Sequence, residues 1–559
     1  MKRTNKVFVS CAWPYANGSL HIGHIAALLP SDILARFHHQ IGDEVLFVSG
    51  TDCHGTPISV RAEREKVTPE SLATKYHEEF VNNFTQLSFS FDLYGLYTQT
   101  QIPEHKRVVQ EIFLTLYNSG FIGKRTENAM YDPEKNRFLP DRYIEGECPF
   151  CHFNPARGDQ CDNCGRLLDP QQLINPISKL SKTTPIEKET EHFYFLLSNP
   201  QIQKELRKYI SRITHLRKNT RAFVSNFLAG GLHDRAITRD LDWGIALPKE
   251  LGDYPSKKIY VWFEAVCGYL SASKMWAKNS DSWEQFWLSE DVLAYYVYGK
   301  DNIPFHTIIW PAILIAYSIA NGKTYHLPDK HVASEYVQIE GKKLSTSRNW
   351  AIWIPDLLKD FSSDAIRYAL ISLNPETSDT NFSFKEFQAK NNNELLATLG
   401  NFIQRTITLA VNANLSEINE DTIVPKQITT CFKEVESLLR IAQCKNALAK
   451  IIELARCGNK FLDDNEPWHT IKKDPQQARL DITHALRLSS QFATLLFPFL
   501  PEGSMRIKTL LSLDQQTENW RPYTGPIRPK KISEPLFTKI ESALISTHEQ
   551  KLRQKSASI

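Results

Sequence analysis

Apolar positions in the first hundred residues alternate between compact runs and segments with helical spacing. The runs KVFVSCAW and EVLFVSG are short and rich in β-forming residues, as is typical of buried strands. Between them, apolar residues recur three or four positions apart from Ile25 to Phe37, and Gly42 provides a helix-stop signal. A strand, a helix and a second strand at this spacing predict a βαβ unit, and therefore a parallel sheet.

The alternation is interrupted and then resumes. From about residue 116 the sequence is rich in turn residues and contains four closely spaced cysteines, which predicts an inserted subdomain. The runs KKIYVWFEA, LAYYVYGKD and KHVASEYV predict further strands from about residue 257. From about residue 388 almost every apolar run has helical period, for example ELLATLGNFIQRTITLAV, and this predicts a helical bundle.

These patterns predict an α/β fold class in which an insertion splits a parallel-sheet domain and a helical domain follows. The predicted boundaries are 1–115 and 241–335 for the two halves of the sheet domain and 116–240 for the insertion. A linking domain is predicted at 336–387, the helical domain at 388–545 and a polar tail at 546–559.

The composition is typical of a soluble globular protein with several structural units. The chain has 559 residues, of which 42% are hydrophobic and 23% charged, so it is too long for one core. Its net charge of +3 is nearly neutral for this length, so a nucleic-acid partner would need a local basic face. The most apolar run, TIIWPAILIAYSIANG, contains Pro311 and is shorter than a bilayer span, so we expect no membrane association. Six scattered cysteines are typical of reduced thiols, and we predict a cytoplasmic protein.

The other four cysteines form two CxxC pairs, Cys148-x2-Cys151 and Cys161-x2-Cys164. Two such pairs nine residues apart predict a tetrathiolate knuckle for tetrahedral Zn²⁺. Four protein ligands leave no open position, so we expect a structural site. The alternative is four free thiols that are close only by chance.

Two histidines follow the first predicted strand, in the stretch PYANGSLHIGH. His21 and His24 are three residues apart at the start of a predicted helix, so both rings can face one ligand. In α/β sheets, ligands bind beyond the carboxyl ends of the strands, where a helix N-terminus favours anions. This context predicts a phosphate site. The alternatives are a capping and a surface histidine, or a metal site that would lack a third nearby ligand.

A second candidate phosphate-binding segment is GKKLSTSRN, from Gly341 to Asn349. It carries three cations, three hydroxyls and no acid, and it follows a run with strand character. The alternative for this segment alone is a solvated turn.

Taken together, HIGH and KLSTS resemble the two signatures of class I aminoacyl-tRNA synthetases, in the same order and at a similar separation. Further blocks resemble those of the methionyl-tRNA synthetase family and run from about residue 7 to residue 470: CAWPYANGSLHIGH, DCHGTPI, YDPEKNRFLPDR, YVWFEAVCGYL, GKDNIPFHTIIWPA and EPW. The resemblance implies a Rossmann-like catalytic domain, a zinc-knuckle connective insertion and an anticodon-binding helical domain.

The resemblance also implies an activity. The protein would activate methionine with ATP to methionyl-adenylate, and would then transfer the methionyl group to the 3′ end of tRNA(Met), initiator tRNA included. The catalytic residues would be His21, His24 and Lys343, and Mg²⁺ would accompany ATP. The implied ATP-binding residues are His21, Gly23, His24, Lys343, Ser345, Thr346 and Ser347.

Two further sites are implied in the same way. Asp52, at the end of the second predicted strand, would bind the methionine ammonium. The implied methionine pocket consists of Ala12, Trp13, Tyr15, Asp52, Trp262, Ala265, Tyr269 and His306. Asn401, Arg405 and Trp468 would read the anticodon of the tRNA. We expect a monomer.

The sequence departs from the family pattern at three positions. The family often has leucine where this chain has Trp13, and proline where it has Val266, so we expect a narrower methionine pocket. The family usually has a second lysine at Thr346, and Lys342 and Arg348 flank the motif as candidates to compensate for its loss.

Two alternatives remain open from sequence. One is a non-catalytic or weakly active paralogue that binds tRNA or adenylates. The other is another class I synthetase for a hydrophobic amino acid such as leucine, isoleucine or valine. The insertion is far shorter than the editing domains of those enzymes, and a cysteine-specific enzyme would hold zinc in its active site.

Overall fold

The structure is a computed structural model that describes residues 5–96, 103–140, 143–158, 161, 163–164, 168–346, 349–419 and 425–557. Ser347 and Arg348 lie outside the described residues.

The described strands are β1 (Lys6–Cys11), β2 (Glu44–Thr51), β3 (Leu93–Leu96), β4 (Ile122–Asp132), β5 (Arg137–Phe138), β6 (Ile144–Glu147), β7 (Ala156–Arg157), β8 (Ile174–Ser178), β9 (Ile186–Phe195), β10 (Arg235–Ala236), β11 (Thr238–Asp240), β12 (Lys257–Ile259), β13 (Val292–Gly299), β14 (Lys330–Ser334), β15 (Val337–Ile339), β16 (Lys342–Lys343) and β17 (Thr380–Phe382).

The described α-helices are α1 (Ile22–Gln40), α2 (Thr56–Glu65), α3 (Pro69–Gln86), α4 (Pro103–Asn118), α5 (Pro200–Arg212), α6 (Lys218–Ala229), α7 (Val261–Trp276), α8 (Glu284–Trp287), α9 (Trp310–Asn321), α10 (Ile354–Leu358), α11 (Ser363–Ser372), α12 (Phe384–Ala389), α13 (Asn401–Asn412), α14 (Lys426–Arg440), α15 (Cys444–Asn465), α16 (Pro467–Thr470), α17 (Pro475–Leu495), α18 (Pro501–Leu510) and α19 (Ser542–Ala557). Two segments are π-helical, Phe305–Ile309 and Lys390–Gly400.

A five-stranded sheet in the order β14-β13-β1-β2-β3 forms the centre of the molecule, and all of its neighbouring strands are parallel. This confirms the predicted α/β class. Strands β13 and β14 follow the insertion in sequence, yet they pair beside β1, so the sheet is assembled from both sides of the interruption. Strand β1 is buried on both faces, which explains why its sequence is a continuous apolar run.

One predicted strand is partly wrong. In the run KKIYVWFEA only Lys257–Ile259 forms a strand, and helix α7 begins at Val261. Helix α7 is buried around most of its circumference, so its apolar residues do not show a helical stripe. Its β-branched and aromatic first turn therefore resembles a strand, and tertiary burial overrides that propensity.

The insertion forms antiparallel sheets of its own. One has the order β10-β9-β4-β5, and a smaller one, β7-β6-β8, carries the cysteine pairs. The smaller sheet surrounds a separate apolar cluster that includes Tyr143, Ile144, Cys148 and Cys161. A cluster this small buries little apolar surface, so the knuckle depends on a further cross-link for stability.

The helical region begins with a continuous helix. Helix α12, the π-helical segment and α13 follow one another without a break from Phe384 to Asn412. The predicted domain boundary at residue 388 therefore falls inside a helix.

The apolar run around Pro311 is longer as a helix than expected from sequence. Residues Lys300–Asn321 form a 22-residue helical stretch, which is long and apolar enough to cross a membrane. Two thirds of its apolar window, 67%, is buried inside the protein, as in the core helix of a globular domain. The expectation from sequence that this run is too short to span a membrane is therefore wrong, and its burial inside the protein is what identifies it as a core helix.

A buried ion pair joins the sheet domain, the linking segment and the helical domain. Arg367 on α11 contacts Asp32 on α1 at 2.7 Å between Nη2 and Oδ2, and both side chains are inaccessible to solvent. Arg367 also donates to the carbonyl oxygens of Leu87, Pro498 and Phe499. Burial alone would raise the pKa of Asp32, but Arg367 and Arg36 outweigh it and lower that pKa below its ordinary value.

We predict that Arg367→Met destabilises the protein by about 3–5 kcal/mol, because it leaves a buried carboxylate without its main partner. The measurement is the urea midpoint of the cooperative unfolding transition at neutral pH. The matched control is Arg528→Met, since the Arg528–Glu417 pair at 2.7 Å is exposed and such pairs contribute about 0–1 kcal/mol. Equal shifts for the two variants would contradict a special role for Arg367.

Candidate functional site

The start of helix α1 is built from the two histidines of the first motif. His21 is the N-cap residue; its Nδ1 accepts a hydrogen bond from the His24 backbone N–H at 3.3 Å. The Nδ1 of His24 accepts in return from the His21 backbone N–H at 3.2 Å. The two rings stack with centroids 3.7 Å apart. Both histidines therefore cap the helix and face the same side, which combines two readings that the sequence left separate.

Their reciprocal caps settle which nitrogen carries the proton. Because each Nδ1 accepts a backbone N–H, the neutral rings carry their protons on Nε2. Burial lowers the pKa of His24 to about 4 and lowers that of His21 well below its ordinary value, with the neighbouring His24 adding to the shift. At neutral pH the pair thus offers two uncharged N–H donors at a helix N-terminus.

The second motif is a hairpin followed by a loop. Strands β15 and β16 pair through Ile339 and Lys342, so Glu340 and Gly341 form a two-residue turn, and both have positive φ. This is the geometry that matches the twist of an antiparallel hairpin. Beyond it, Ser345 and Trp350 exchange two backbone hydrogen bonds of 3.0 and 2.9 Å and close the loop that contains Thr346.

The two motifs meet in space. A Cβ atom on Gly23 would lie 3.5 Å from Leu344, so this residue of the second motif lies against the start of α1. The chain after the loop is fixed there as well: Ile22 N–H donates to the Ile352 carbonyl at 3.0 Å, and Ile354 N–H donates to the Leu20 carbonyl at 2.8 Å. The sheet topology therefore brings together segments more than three hundred residues apart.

Lys342 and Lys343 point in opposite directions. They are consecutive residues of β16, so their side chains lie on opposite faces of the hairpin. Lys342 Nζ lies 5.0 Å from the centroid of the Trp350 ring, and Lys343 Nζ lies 5.9 Å from that of Tyr336. Both lysines are exposed. The two lysines therefore cannot both face one ligand from this hairpin.

Asp52 lies immediately after β2, beside the segment that follows β1. Its backbone pairs with Pro14 and Ala16 through two hydrogen bonds of 2.9 Å. The side chain is buried, and no residue in the described part of the chain forms an ion pair with it. Burial raises the pKa of Asp52 well above its ordinary value, and the nearby Glu264 carboxylate adds to the increase. A cation bound beside this carboxyl group would favour its ionised form, which burial disfavours.

One face of α7 forms the wall of the predicted amino-acid pocket. Trp262, Ala265 and Tyr269 are spaced three and four residues apart and share that face. Tyr269 Oη donates to His306 Nε2 at 2.7 Å, and His306 Nδ1 donates to the Asn302 carbonyl at 2.9 Å. His306 belongs to the π-helical segment Phe305–Ile309, and such segments are frequent at functional sites. Trp262 is 45% exposed and packs at 4.4 Å on the ring of Phe305, at the outer edge of the wall.

The large side chain of Trp13 is accommodated by a glycine. A Cβ atom on Gly268 would lie 2.0 Å from the Trp13 ring, so only glycine fits there without displacing the indole. The Trp13 ring also lies 6.1 Å from that of Tyr269. Val266 is buried in the same helix. Ala12, half-exposed Tyr15 and Trp13 all follow β1, which places the predicted pocket residues at the carboxyl ends of β1 and β2 and along α7.

A buried cluster behind this pocket was not found from sequence. Glu264 Oε1 lies 2.5 Å from His54 Nδ1 and 3.3 Å from His105 Nε2. Burial alone would raise the pKa of Glu264, but His54 and His105 outweigh it and lower that pKa to about 2. His54 and Glu264 are in the DCHGTPI and YVWFEAVCGYL blocks, but the signal for an interaction between them and His105 exists only in the tertiary structure.

The four predicted metal ligands converge. Their sulfur atoms all lie within 4.8 Å of one another, and the pairs Cys148–Cys164 and Cys151–Cys161 are separated by 3.9 and 3.6 Å. Four thiolates around Zn²⁺, with Zn–S of about 2.3 Å, would have S–S distances of about 3.8 Å, so the residues fit this ion. The Phe153 backbone N–H is the main cause that lowers the pKa of Cys151 to about 6, toward the thiolate form that binds metals. Among the described residues, this is the one cluster of histidine, cysteine or acidic side chains with metal-binding geometry.

The three predicted anticodon-reading residues also lie together. The Arg405 guanidinium lies 4.3 Å from the Trp468 ring centroid and 2.8 Å from Asp463 Oδ1. Asn401 Nδ2 donates to Asn459 Oδ1 at 3.4 Å. A surface cavity of about 470 Å³ adjoins them and is lined by Ala397, Thr398, Asn401, Arg405, Arg456, Asn459, Lys460 and Asp463. Three cations, Arg405, Arg456 and Lys460, and one acid, Asp463, therefore line this cavity.

Two family profiles match the chain. One, described as class I (M) tRNA synthetases, matches residues 7–407. The other, described as the anticodon-binding domain of methionyl tRNA ligase, matches residues 412–553.

Curated relatives match over nearly the whole chain. The methionine–tRNA ligase of Bacillus cereus strain B4264 is 42% identical, over 98% of this chain and 99% of the relative. That of Thermomicrobium roseum is 41% identical, and the match covers both chains fully. Among solved structures, Mycobacterium tuberculosis methionyl-tRNA synthetase in complex with methionyl-adenylate superposes with a TM-score of 0.76 at 22% identity, over 96% of this chain and 100% of that chain. This structural match shows a shared fold.

Proposed function

The chain belongs to the methionine–tRNA ligase family of class I aminoacyl-tRNA synthetases, and we propose that the residues described above carry out its two reaction steps. The observation that carries this assignment is the contact between the two signature segments. Leu344 lies against Gly23 at the start of α1, and the buried carboxylate of Asp52 lies at the end of the neighbouring strand.

In the first step, a methionine carboxylate oxygen attacks the α-phosphorus of ATP. The bond from the α-phosphorus to the bridging oxygen breaks, and pyrophosphate leaves with its electron pair. His21 and His24 donate from Nε2 to phosphate oxygens, and the positive end of the α1 helix dipole adds to the attraction. Lys343, in the KLSTS segment with Ser345 and Thr346, balances charge on the leaving pyrophosphate. Mg²⁺ enters with ATP as part of the substrate, and Gly23 lets the chain approach the nucleotide closely.

In the second step, a hydroxyl of the terminal adenosine of tRNA attacks the carbonyl carbon of methionyl-adenylate. An ester bond forms, the mixed anhydride breaks and AMP leaves. The two steps use positioning and charge stabilisation rather than a covalent enzyme intermediate.

Methionine is held by charge at one end and by aromatic contact at the other. Its ammonium pairs with Asp52, since a cation favours the ionised carboxylate that burial disfavours. Its thioether lies among Trp13, Tyr269 and His306, because sulfur–aromatic contacts suit an unbranched, polarisable side chain. Ala12, Tyr15, Trp262 and Ala265 complete the pocket.

The remaining assignments extend this proposal. The sheet domain (1–115 and 241–335) is catalytic, 116–240 is the connective insertion and 336–387 links it to the anticodon-binding domain (388–545). The partners are ATP, L-methionine and tRNA(Met), initiator tRNA included, and the protein acts as a cytoplasmic monomer.

We predict that His24→Ala and Lys343→Ala each lower methionine-dependent ATP–pyrophosphate exchange by about 10²–10³-fold, because each removes a donor to developing phosphate charge. The assay is exchange of labelled pyrophosphate at saturating methionine and Mg²⁺-ATP. Lys342→Ala is the matched control and should change the rate less than threefold, since this lysine lies on the opposite face of the hairpin. Near-wild-type exchange in both His24→Ala and Lys343→Ala would refute the assignment, and no exchange in the wild type would favour a non-catalytic paralogue.

The helical domain yields a separate prediction. Trp468→Ala should lower kcat/KM for aminoacylation of tRNA(Met) by about 10–100-fold, because stacking of a base on an aromatic ring contributes about 1–3 kcal/mol. Pyrophosphate exchange without tRNA should stay within twofold, since the pocket and the phosphate site are untouched. An equal loss in both assays would show that Trp468 supports the fold and does not read RNA. Arg528→Ala, at an exposed position of the same domain, is the control.

The knuckle is proposed to hold one structural zinc ion per chain, and this is tested by metal analysis. Cys161→Ser should lose most of the zinc after dialysis against a weak chelator, because three thiolates form a weaker and open site. Cys457→Ser, at an exposed thiol away from the cluster, should keep it. Absence of zinc in the wild-type protein, or its retention by Cys161→Ser, would contradict the proposal.

A further inference from the structure

A chain of buried aromatic side chains connects the insertion to the predicted methionine pocket. It begins at Tyr209 on α5, passes through His331 on β14 and Tyr298 on β13, and ends at His306 and Tyr269. All five side chains are at most 8% exposed. Only the last two are in the predicted pocket, so nothing in the proposed mechanism accounts for the first three.

The direction of each hydrogen bond follows from the partners. Tyr209 Oη donates its single proton to the Pro328 carbonyl at 2.9 Å. His331 Nε2, 2.8 Å from the same oxygen, must therefore donate to it. The proton of neutral His331 is thus on Nε2, and burial lowers the pKa of His331 to about 3, so a second proton is absent near neutral pH.

The next contact follows from that tautomer. His331 Nδ1 carries no proton, so it accepts from Tyr298 Oη at 2.9 Å. This bond holds the Tyr298 hydroxyl at a buried acceptor, and because a phenolic O–H prefers to lie in the plane of its ring, it also favours one orientation of that ring. The His306 ring stacks on Tyr298 with centroids 4.3 Å apart and planes 17° apart.

His306 is thereby oriented from two sides. Its Nδ1 proton is directed at the Asn302 carbonyl, and its Nε2 accepts from Tyr269. The stacked Tyr298 ring sets the tilt of the imidazole between these two bonds. We propose that Tyr209, on the insertion, is a positioning residue for methionine, which acts through His331 and Tyr298 to hold His306 in place. This inference rests on the proposed role of His306 in the methionine pocket.

The first test is Tyr209→Phe, which keeps the ring and removes the oxygen that accepts from His331. Loss of one buried hydrogen bond in the chain should raise KM for methionine about fivefold in the pyrophosphate-exchange assay. KM for ATP and kcat should change less than twofold, because the phosphate site lies at the start of α1. Tyr317→Phe is the matched control: its hydroxyl donates to Glu111 at 2.8 Å from the same 300–321 helical stretch that carries His306.

The second test asks whether the hydroxyls of Tyr209 and Tyr298 act in series or independently. Tyr298→Phe keeps the ring under His306 and removes only the bond to His331, so it should raise KM for methionine by a similar factor. If both hydroxyls act through His331, the double variant should be no worse than the more damaged single variant, whereas independent losses would multiply. Multiplying effects, unchanged KM for methionine in Tyr209→Phe, or an equal rise in KM for ATP would each overturn the inference.

One further variant distinguishes failure of this inference from failure of the proposed site. His306→Ala should raise KM for methionine more than any variant of the chain. If it does not, His306 is not in the methionine pocket and the proposed site is wrong. If it does and Tyr209→Phe is silent, the site stands and only the role of Tyr209 is refuted.

Discussion

The contact between Arg367 and Asp32 is the interaction on which the arrangement of this protein depends. Asp32 lies on α1, whose first turn carries His21 and His24, and Arg367 lies on α11, in the segment that follows the KLSTS loop. The same guanidinium binds carbonyl oxygens at 498–499 in the helical domain and at Leu87 before β3. Because a buried guanidinium must satisfy its donors, its neighbours can occupy few alternative positions. One side chain therefore fixes the helix that begins at the phosphate site relative to the domain that would bind RNA.

Around the site, burial is used to keep groups uncharged until a ligand arrives. The histidine pair at the start of α1 is neutral because its surroundings disfavour imidazolium, and the caps on Nδ1 leave Nε2 as the donor. Burial acts on Asp52 in the same sense and raises the pKa of its carboxyl group, because no cation among the described residues pairs with it. Glu264 behind it stays ionised because His54 and His105 surround it. The negative charge of Glu264 thus lies one layer behind the proposed amino-acid pocket.

Much of this was predictable from sequence, and the failures have physical causes. Strands β1, β2 and β13 are buried on both faces, so their apolar runs identify them, and the CxxC pairs identify the knuckle because ligand spacing is local. Helix α7 was misread because a helix buried around most of its circumference has no broad polar face to show its period. The roles of Gly268, His105 and Tyr209 depend on partners that are far away in sequence: Gly268 faces Trp13, His105 faces Glu264 and Tyr209 faces His331. No local pattern carries such information.

The continuous helix from Phe384 to Asn412 has a consequence for the RNA that this protein can use. At its start, the Phe384 N–H donates to Glu340 Oε1 in the turn of the β15–β16 hairpin, and further along it carries Asn401 and Arg405. At about 1.5 Å per residue in its α-helical part and less in the π-helical segment Lys390–Gly400, the stretch from the hairpin to Asn401 is on the order of 20–25 Å long. A helix without a break is a stiff spacer, so the distance from the hairpin to Asn401 is built into the protein. Under the proposed roles, an RNA with one end beside the phosphate site must span this fixed distance to present its bases to Asn401 and Arg405.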